Sequence, residues 1–206
     1  LAIDRLGAGA VTDAARAAVV RAAMRATRDA DAVLVSDYGS GLVDPRTVAA
    51  IAKPLRARGV PVLVDSRYQL LKFSKLTACT PNESEVEQVL GVTIDDRPRV
   101  LERAGRAVLT RTGMDAVLVT RGSRGMALFV PGRPTVHIPI YGPDEVTDVT
   151  GAGDTVMATM TLALAAGATF EEAARLANYA GGLVVMKRGT ATVSAKELRG
   201  AVKGDG

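Results

Sequence analysis

The residues best suited to chemistry in this sequence form a glycine-rich segment that ends in an aspartate. Residues 148–155 read Asp-Val-Thr-Gly-Ala-Gly-Asp-Thr and precede a long apolar run. Small residues let a backbone approach a ligand closely, and the amides of a starting helix attract anions such as phosphoryl groups. We therefore interpret Gly151, Ala152 and Gly153 as an anion-binding turn and Asp154 as a candidate general base. A plain helix start that is capped by an acid is the alternative.

The apolar run that follows predicts a buried helix that would hold Asp154 rigidly. It covers residues 155–166 and stops at Gly167, as expected for a helix with a glycine just after its end. Phosphoryl transfer to a hydroxyl requires little covalent chemistry from a protein, because positioning and charge stabilisation supply most of the catalysis. A rigid carboxylate beside an anion-binding turn meets that requirement.

Composition limits the classes of protein to which the chain can belong. Its 206 residues are 48% hydrophobic and 23% charged, so residues 1–206 are predicted to form a single domain. No apolar run approaches the ~20 residues that span a bilayer, and no signal-peptide pattern is present. We therefore expect no membrane partner and a cytoplasmic location.

Rare residue types exclude several other kinds of site. One cysteine, Cys79, and one histidine, His137, exclude an internal disulfide and any metal site rich in either residue. The net charge of +4 is accompanied by only three Phe, four Tyr and no Trp. Because so few aromatic rings are available to stack on bases, nucleic acid is not an expected partner.

Apolar strand-like runs alternate with helical ones along the chain, which indicates an α/β fold with a mainly parallel sheet. Strands are predicted at 32–36, 60–64, 76–80 and 116–120, followed by an antiparallel hairpin at 126–130 and 135–140. Helices are predicted at 14–28, 45–58, 82–90, 99–111, 155–166, 170–186 and 195–202. Ligands bind beyond the carboxyl ends of strands in such sheets, and these ends carry Asp37, Asp65, Asn82 and Arg121. Turn chemistry alone also favours Asp and Asn at such positions.

The segment 148–155 resembles the C-terminal signature of the ribokinase and phosphofructokinase B superfamily of carbohydrate kinases. The resemblance implies that Asp154 is the catalytic base and that the backbone of Gly151, Ala152 and Gly153 forms the anion hole. It also implies a ribokinase-like three-layer α/β/α fold with a mainly parallel sheet. ATP would be the phosphoryl donor and Mg²⁺ the cofactor.

A second match is the run Asn82-Glu83-Ser84-Glu85, which fits the Asn-x-x-Glu pattern of the same superfamily. The resemblance implies that Glu85 helps to organise magnesium and phosphate, and that Asn82 lies at the cofactor. Magnesium in phosphoryl-transfer sites keeps most of its waters and requires only one or two carboxylates. The alternative is a helix N-terminus whose acidic residues complement the helix dipole.

A third match is the turn at residues 119–125, Val-Thr-Arg-Gly-Ser-Arg-Gly, at the end of a predicted strand. The resemblance implies that this turn lies against the nucleotide phosphates. Glycines permit a close approach, and polar side chains can donate hydrogen bonds to phosphate oxygens. The candidate cofactor-binding residues of the turn are Thr120, Arg121, Gly122, Ser123 and Gly125. A plain turn at the entry to the hairpin is the alternative.

Two further segments complete the implied site. Asn178 lies in a small-residue helix that packs beside the adenine in the superfamily. Residues 187–190 resemble the loop whose carbonyls, together with the region of Asp148 and Thr150, hold a monovalent cation in many members. We therefore add Asn178 to the nucleotide site and assign Asp148 and Thr150 to a K⁺ site.

Three segments resemble one group within the superfamily, the kinases that phosphorylate C1 of D-glycero-D-manno-heptose 7-phosphate. These segments are residues 36–41, 61–65 and 187–193. The expected substrate is a sugar or sugar phosphate, and this heptose is the leading candidate. The chain has Ser40 where the group usually has lysine, and Ser66 and Arg67 where it usually has proline and lysine. Because lysine and arginine present different charge geometries to a phosphate, the identity of the acceptor stays open.

The resemblance runs from Asp31 to Val193 and corresponds to the C-terminal two-thirds of a typical kinase of the superfamily. It implies that three parts of such a kinase are missing from the sequence: the first strands, a Gly-Gly motif that grips the sugar, and the β-sheet lid through which a homodimer would form. Two functions are therefore predicted. The first is an ATP-dependent sugar kinase, and the alternative is a non-catalytic nucleotide-binding remnant of one.

Overall fold

The computed structural model describes residues 11–142 and 148–204, which form one six-stranded sheet flanked by helices. The strands are β1 (Val33–Asp37), β2 (Val62–Ser66), β3 (Ala78–Cys79), β4 (Ala116–Thr120), β5 (Met126–Phe129) and β6 (Val136–Ile138). The helices are α1 (Asp13–Ala26), α2 (Pro45–Ala57), α3 (Glu83–Leu90), α4 (Pro98–Thr112), α5 (Ala152–Ala165), α6 (Phe170–Val185) and α7 (Ala195–Gly204).

The strands lie in the sheet in the same order as in the chain. Strands β1 to β4 are parallel, whereas β5 and β6 continue the sheet as an antiparallel hairpin. Parallel neighbours require a crossover connection, and α2 and α4 occupy two of the connections between them. The predicted α/β fold with a mainly parallel sheet is confirmed.

Hydrophobic cores on both faces of the sheet produce three layers. Val62 and Val64 belong to the core that contains buried residues of α2 and α4. Leu63 belongs to the core formed with α5 and α6. Successive side chains of a strand point to opposite faces, so the uninterrupted apolar run of β2 fits a strand that is covered on both sides.

Strands β3 and β6 are each three residues shorter than predicted, helix α5 begins earlier, and the other elements differ by smaller amounts. Strand β3 has two residues instead of five, and the Thr77 hydroxyl just before it accepts the amide of Val62 at 2.9 Å. Helix α5 begins at Ala152, three residues before the predicted start. Asp154 therefore lies in the first helical turn, where the amides point outward.

The helix ends follow the signals in the sequence. Pro45 and Pro98 occupy the first positions of α2 and α4, where the missing N–H costs nothing. Gly91 and Gly113 end α3 and α4 with left-handed backbone conformations, which glycine adopts without strain. In the two described stretches, no helix has the length and apolar character needed to cross a membrane.

Candidate active site

The N-terminus of α5 is open to a ligand. Its N-cap is Gly151, with φ of 78° and no side-chain hydrogen bond to the first turn. The amide of Ala152 donates to the carbonyl of Val149 at 3.2 Å. Among residues 11–142 and 148–204, no acceptor receives the amides of Gly153 or Asp154. Two donors at the positive end of a helix dipole are thus available to an anion.

Neither the backbone conformation nor the packing around residue 153 requires a glycine there. Its φ is not in the left-handed region, and a Cβ built on it would meet no atom within 4 Å. Glycine in a helix is less favourable than alanine by up to about 1 kcal/mol. The open space beside this amide is therefore what the glycine provides, which is the property a phosphate-binding turn needs.

Asp154 is exposed and makes one side-chain contact across the site. The hydroxyl of Tyr38, on the loop after β1, donates to Asp154 Oδ1 at 2.8 Å. This hydrogen bond raises the pKa of the Tyr38 phenol above its ordinary value. Sequence reasoning cited the segment that contains Tyr38 but gave the residue no role. Its position directly after Asp37, at the carboxyl end of a strand, was the available signal.

Polar groups gather at the carboxyl ends of β1 and β2, as the sequence predicted. The buried carboxylate of Asp37 accepts hydrogen bonds from the amide of Gly39 at 2.9 Å and from the Ser66 hydroxyl at 2.8 Å. Burial raises the pKa of Asp65 to about 6, and the charges of Glu85 and Asp154 contribute in the same direction. Asp65 therefore lies within the electrostatic reach of both predicted catalytic-site acids.

Asn82 and Glu85 form a complete capping box at the start of α3. Glu85 N donates to Asn82 Oδ1 at 2.8 Å, and Asn82 N donates to Glu85 Oε2 at 2.9 Å. The alternative considered from the sequence, a helix N-terminus stabilised by its own acidic residues, is thus present in the structure. The Glu85 pKa is nevertheless raised, because burial outweighs the hydrogen bonds from Asn82.

The donor set at Glu85 fits a magnesium ion that retains most of its waters. Glu85 Oε2 is used by the capping box, whereas Oε1 has no donor in the described part of the chain. That part also contains no group of three or more His, Cys, Asp or Glu arranged to hold a metal. A single carboxylate is sufficient when phosphate oxygens and water supply the other ligands. Magnesium at Glu85 stays a prediction.

A cavity of about 320 Å³ joins the open end of α5 to the turn after β4 and to α6. Every residue predicted to bind the nucleotide lines it, with the exception of Arg121. Those present are Asn82, Thr120, Gly122, Ser123, Gly125 and Asn178, together with Ala152 and Gly153 of the anion-binding turn. The predicted nucleotide residues, which are scattered over nearly a hundred positions of sequence, therefore meet in one place.

The sequence of residues 8–197 matches the pfkB family carbohydrate kinase description. The chain belongs to the pfkB family of carbohydrate kinases. Its curated relatives include the "Bifunctional protein HldE" of Trichlorobacter lovleyi, which is 43% identical over 173 residues; the match covers 84% of this chain and 35% of that protein. The HldE protein of Desulfatibacillum aliphaticivorans is 40% identical over 97% of this chain and 40% of its own length. The pfkB-family chain thus spans well under half the length of these relatives.

Solved structures show the same ribokinase-like fold. Ribokinase from Arabidopsis thaliana, complexed with ribose and ATP, superposes with a TM-score of 0.74 at 26% identity, covering 87% of this chain and 58% of that one. Phosphofructokinase-2 from Escherichia coli in complex with potassium gives a TM-score of 0.79 at 19% identity, covering 94% and 63%. The predicted recognition and fold are confirmed.

Arg121 of the pfkB-family chain does not line the 320 Å³ cavity. Its Nε and Nη2 atoms lie 3.4 Å from Oε1 of Glu83, and both side chains are largely buried. Arg124 contacts the other oxygen of Glu83 and also pairs with Asp96 at 2.6 Å. The predicted role of Arg121 as a phosphate donor stays a prediction. Glu83 was not singled out from the sequence, although an acid directly after the helix cap was a usable signal.

Asp148 ties the segment before α5 to the loop after α6. Its Oδ1 accepts the amide of Thr150 at 2.9 Å, and its Oδ2 accepts the amide of Gly189 at 3.0 Å. The hydrogen bonds, those from Thr150 first, lower the pKa of Asp148. The regions predicted to share a monovalent cation are therefore adjacent, while the K⁺ site itself stays a prediction.

A larger cavity of about 660 Å³ borders the other side of Asp154. Its walls come from α5, from residues 190–194 and from Leu176 and Leu198 of α6 and α7, so that apolar and hydroxyl side chains alternate around it. A sugar requires hydrogen-bonding partners for its hydroxyls, and this lining offers Asp154 together with threonine and serine hydroxyls. Tyr38 contacts Asp154 from the loop after β1, where the Asp37 carboxylate is buried.

Proposed function

We propose that this chain carries the nucleotide-binding and general-base parts of an enzyme that transfers the γ-phosphoryl group of ATP to a hydroxyl of a sugar or sugar phosphate. The observation that carries the proposal is the uncapped start of α5, where free amides and an unobstructed Gly153 lie at the edge of the 320 Å³ cavity and the Asp154 carboxylate is the next residue. Such an arrangement suits a reaction in which positioning and charge stabilisation dominate.

The proposed roles follow the bonds that change. Asp154 accepts the proton of the acceptor hydroxyl while that oxygen forms a bond to the γ-phosphorus. The bond between the γ-phosphorus and the β–γ bridging oxygen breaks, and ADP leaves with the electron pair. The amides of Gly153 and Asp154 donate to the oxygens on which charge develops. Magnesium, when bound, neutralises charge on the phosphates.

The first acceptor to consider is the C1 hydroxyl of D-glycero-D-manno-heptose 7-phosphate. The local resemblance at residues 36–41, 61–65 and 187–193 supports it, as does the similarity to relatives named HldE. Arg67 places a guanidinium 4.8 Å above the Tyr38 ring, so a cation is available on the acceptor side for an anionic substituent.

The second candidate is nucleotide binding without turnover. It is supported by one observation, that the predicted nucleotide residues other than Arg121 line one cavity without any contribution from Asp154. A cytoplasmic location, a K⁺ requirement and a homodimer remain predictions beside both candidates.

The deciding experiment measures ADP release by the longest encoded form of the protein with ATP, Mg²⁺ and a panel of acceptors. The panel contains heptose 7-phosphate, ribose, fructose and fructose 6-phosphate, and phosphorus NMR identifies the product. We expect turnover with one acceptor well above ATP hydrolysis without sugar. ATP binding without transfer to any of these acceptors would contradict the kinase proposal and favour the non-catalytic candidate.

A further inference from the structure

The contact between Tyr38 and Asp154 connects the loop after β1 to the first turn of α5. The phenolic hydroxyl donates to Oδ1 at 2.8 Å. No donor to Oδ2 is present among residues 11–142 and 148–204. One oxygen of the carboxylate is thus held by the protein, and the other is available to the proton of an acceptor hydroxyl.

The loop that carries Tyr38 is itself fixed. Asp37 is buried, with 2% of its surface exposed, and accepts the amide of Gly39 and the hydroxyl of Ser66. Gly39 has φ of 77°, and a Cβ there would come within 2.6 Å of the Tyr68 ring. A buried carboxylate with two donors and a close backbone–ring contact leave this loop few alternative conformations.

The ring of Tyr38 is also held from one side. The guanidinium of Arg67 lies 4.8 Å from its centroid, within the range of a cation–π contact. The amide of Arg67 donates to the carbonyl of Asp37 at 3.3 Å. The backbone of Arg67 is thus bound directly to the residue before Tyr38. Tyr38 is therefore positioned both through its backbone and through its ring before it contacts Asp154.

We infer that Tyr38 is a positioning residue that holds the Asp154 carboxylate in one orientation, with Oδ2 directed to the acceptor hydroxyl. The inference rests on the proposed function, because it gives Asp154 the role of the base. An exposed aspartate otherwise samples several rotamers, and small misplacements of a catalytic group are costly in rate. Tyr38 itself gains and loses no proton in the reaction.

The kinetic test compares Tyr38→Phe with Tyr68→Phe in the longest encoded form of the protein. Both changes remove one hydroxyl from a tyrosine of the same region and keep the ring that packs there. We expect Tyr38→Phe to lower kcat by about tenfold or more while the KM for ATP stays unchanged. Tyr68→Phe should retain the wild-type kcat. Equal kcat values for the wild type and Tyr38→Phe would overturn the inference.

A second readout does not depend on turnover. The hydrogen bond to Asp154 is the largest cause that raises the pKa of Tyr38 above 10.0, whereas a hydrogen bond with Ser36 and the charge of Arg67 act in the opposite direction. Ultraviolet titration of the phenolate should therefore show one tyrosine that titrates late in the wild type. This tyrosine should titrate earlier in Asp154→Ala and be missing in Tyr38→Phe.

The two readouts separate the failure of the inference from that of the proposed function. If no acceptor is phosphorylated but Asp154→Ala shifts the Tyr38 titration, the kinase role falls and the contact is supported. If the enzyme turns over but neither kcat nor the titration depends on the pair, the positioning role is overturned and the kinase role stands.

Discussion

The N-termini of α3 and α5 follow the same plan, yet their amides are used in opposite ways. Each helix has a carboxylate at its third position, Glu85 in α3 and Asp154 in α5. In α3 the Asn82 side chain and Glu85 satisfy each other's backbone amides. In α5 the cap is Gly151, which has no side chain to offer, and the Asp154 carboxylate turns away to Tyr38.

The difference teaches how a helix end becomes a ligand site. A capping box satisfies two donors internally and stabilises the helix, so the start of α3 is stable without a ligand. Replacing the cap by glycine leaves donors for an anion. Asp65 lies close enough to both ends for Glu85 and Asp154 to raise its pKa. The stable helix end and the open one thus border the same site.

The largest expected effect comes from neutralising the acid at the open end. Asp154→Asn should lower kcat by about 10³-fold, because general-base catalysis contributes roughly 10²–10⁴. ATP affinity should change by less than about threefold, since the nucleotide cavity is not altered. ADP release and calorimetry measure the two quantities. Asp13→Asn, in the first turn of α1, is the control and should retain full activity; a wild-type rate in Asp154→Asn would remove the base from the mechanism.

The next largest effect is expected at Gly153, where a substitution should lower activity without lowering stability. Gly153→Ala should reduce kcat/KM for ATP by about tenfold, while the free energy of unfolding stays equal or rises by up to about 1 kcal/mol. The reason is that its Cβ meets open space, where a ligand is proposed to bind. Chemical denaturation and kinetics measure both.

The matched control for Gly153 is Gly105 in α4. A Cβ at this position would come within 2.2 Å of the Phe129 ring, so Gly105→Ala should destabilise the fold by about 1–3 kcal/mol. If Gly153→Ala destabilised the protein as much as Gly105→Ala does, packing would explain the glycine and the anion-binding role would lose its support.

A smaller effect is expected at the capped end. Glu85→Gln should raise the magnesium concentration for half-maximal activity by about tenfold, because a neutral amide is a poorer ligand than a carboxylate. Glutamine can still close a capping box, so stability should be nearly unchanged. Glu172→Gln is the control, since Glu172 forms the same box with Thr169 at the start of α6. Identical magnesium titrations for the two variants would confine Glu85 to capping.

The smallest expected effect is a pH dependence of the free energy of unfolding. It arises from Asp65, whose pKa is raised in part by the acids at both helix ends. Its pKa is about 6 in the fold and 3.8 ordinarily, so the folded state binds more protons between these values. Stability should therefore fall as pH rises through this window and then level off. After allowance for solvent screening, the change is about 1 kcal/mol.

Denaturant titrations across this window check the prediction, with Asp65→Asn as the comparison. Asp65→Asn should not show this fall in stability as the pH rises. Glu85→Gln should weaken the decline more than Asp154→Asn does, because Glu85 is the stronger of the two charges on Asp65. An equal slope in the wild type and in Asp65→Asn would contradict the assignment.

Local signals in the sequence were sufficient for most of the elements and for a set of residues most of which line one cavity. The run from Gly151 to Asp154 was legible because turn, helix start and acid are contiguous, and the parallel fold follows from alternating apolar runs. The start of α5 was placed late, because Ala152 and Gly153 interrupt the apolar pattern without ending the helix.

Contacts between distant segments could not be predicted in the same way. The hydrogen bond from Tyr38 to Asp154 depends on how α5 crosses the ends of β1 and β2, which no local pattern encodes. Arg121 was expected at the phosphates from its place in the turn, whereas the structure pairs it with the buried Glu83 of α3. Which cation faces a ligand and which is neutralised is decided by tertiary packing.

The most direct test of the central claim follows the backbone amides of the two helix ends by NMR. The ¹⁵N-labelled longest encoded form would be titrated with ADP, Mg²⁺ and fluoroaluminate, a mimic of the phosphoryl group in transfer. We predict that the amide resonances of Gly153 and Asp154 shift strongly, and more than those of Ser84 and Glu85 inside the capped turn beside the proposed magnesium. Strong shifts at the capped end, with unchanged resonances at Gly153 and Asp154, would contradict the account.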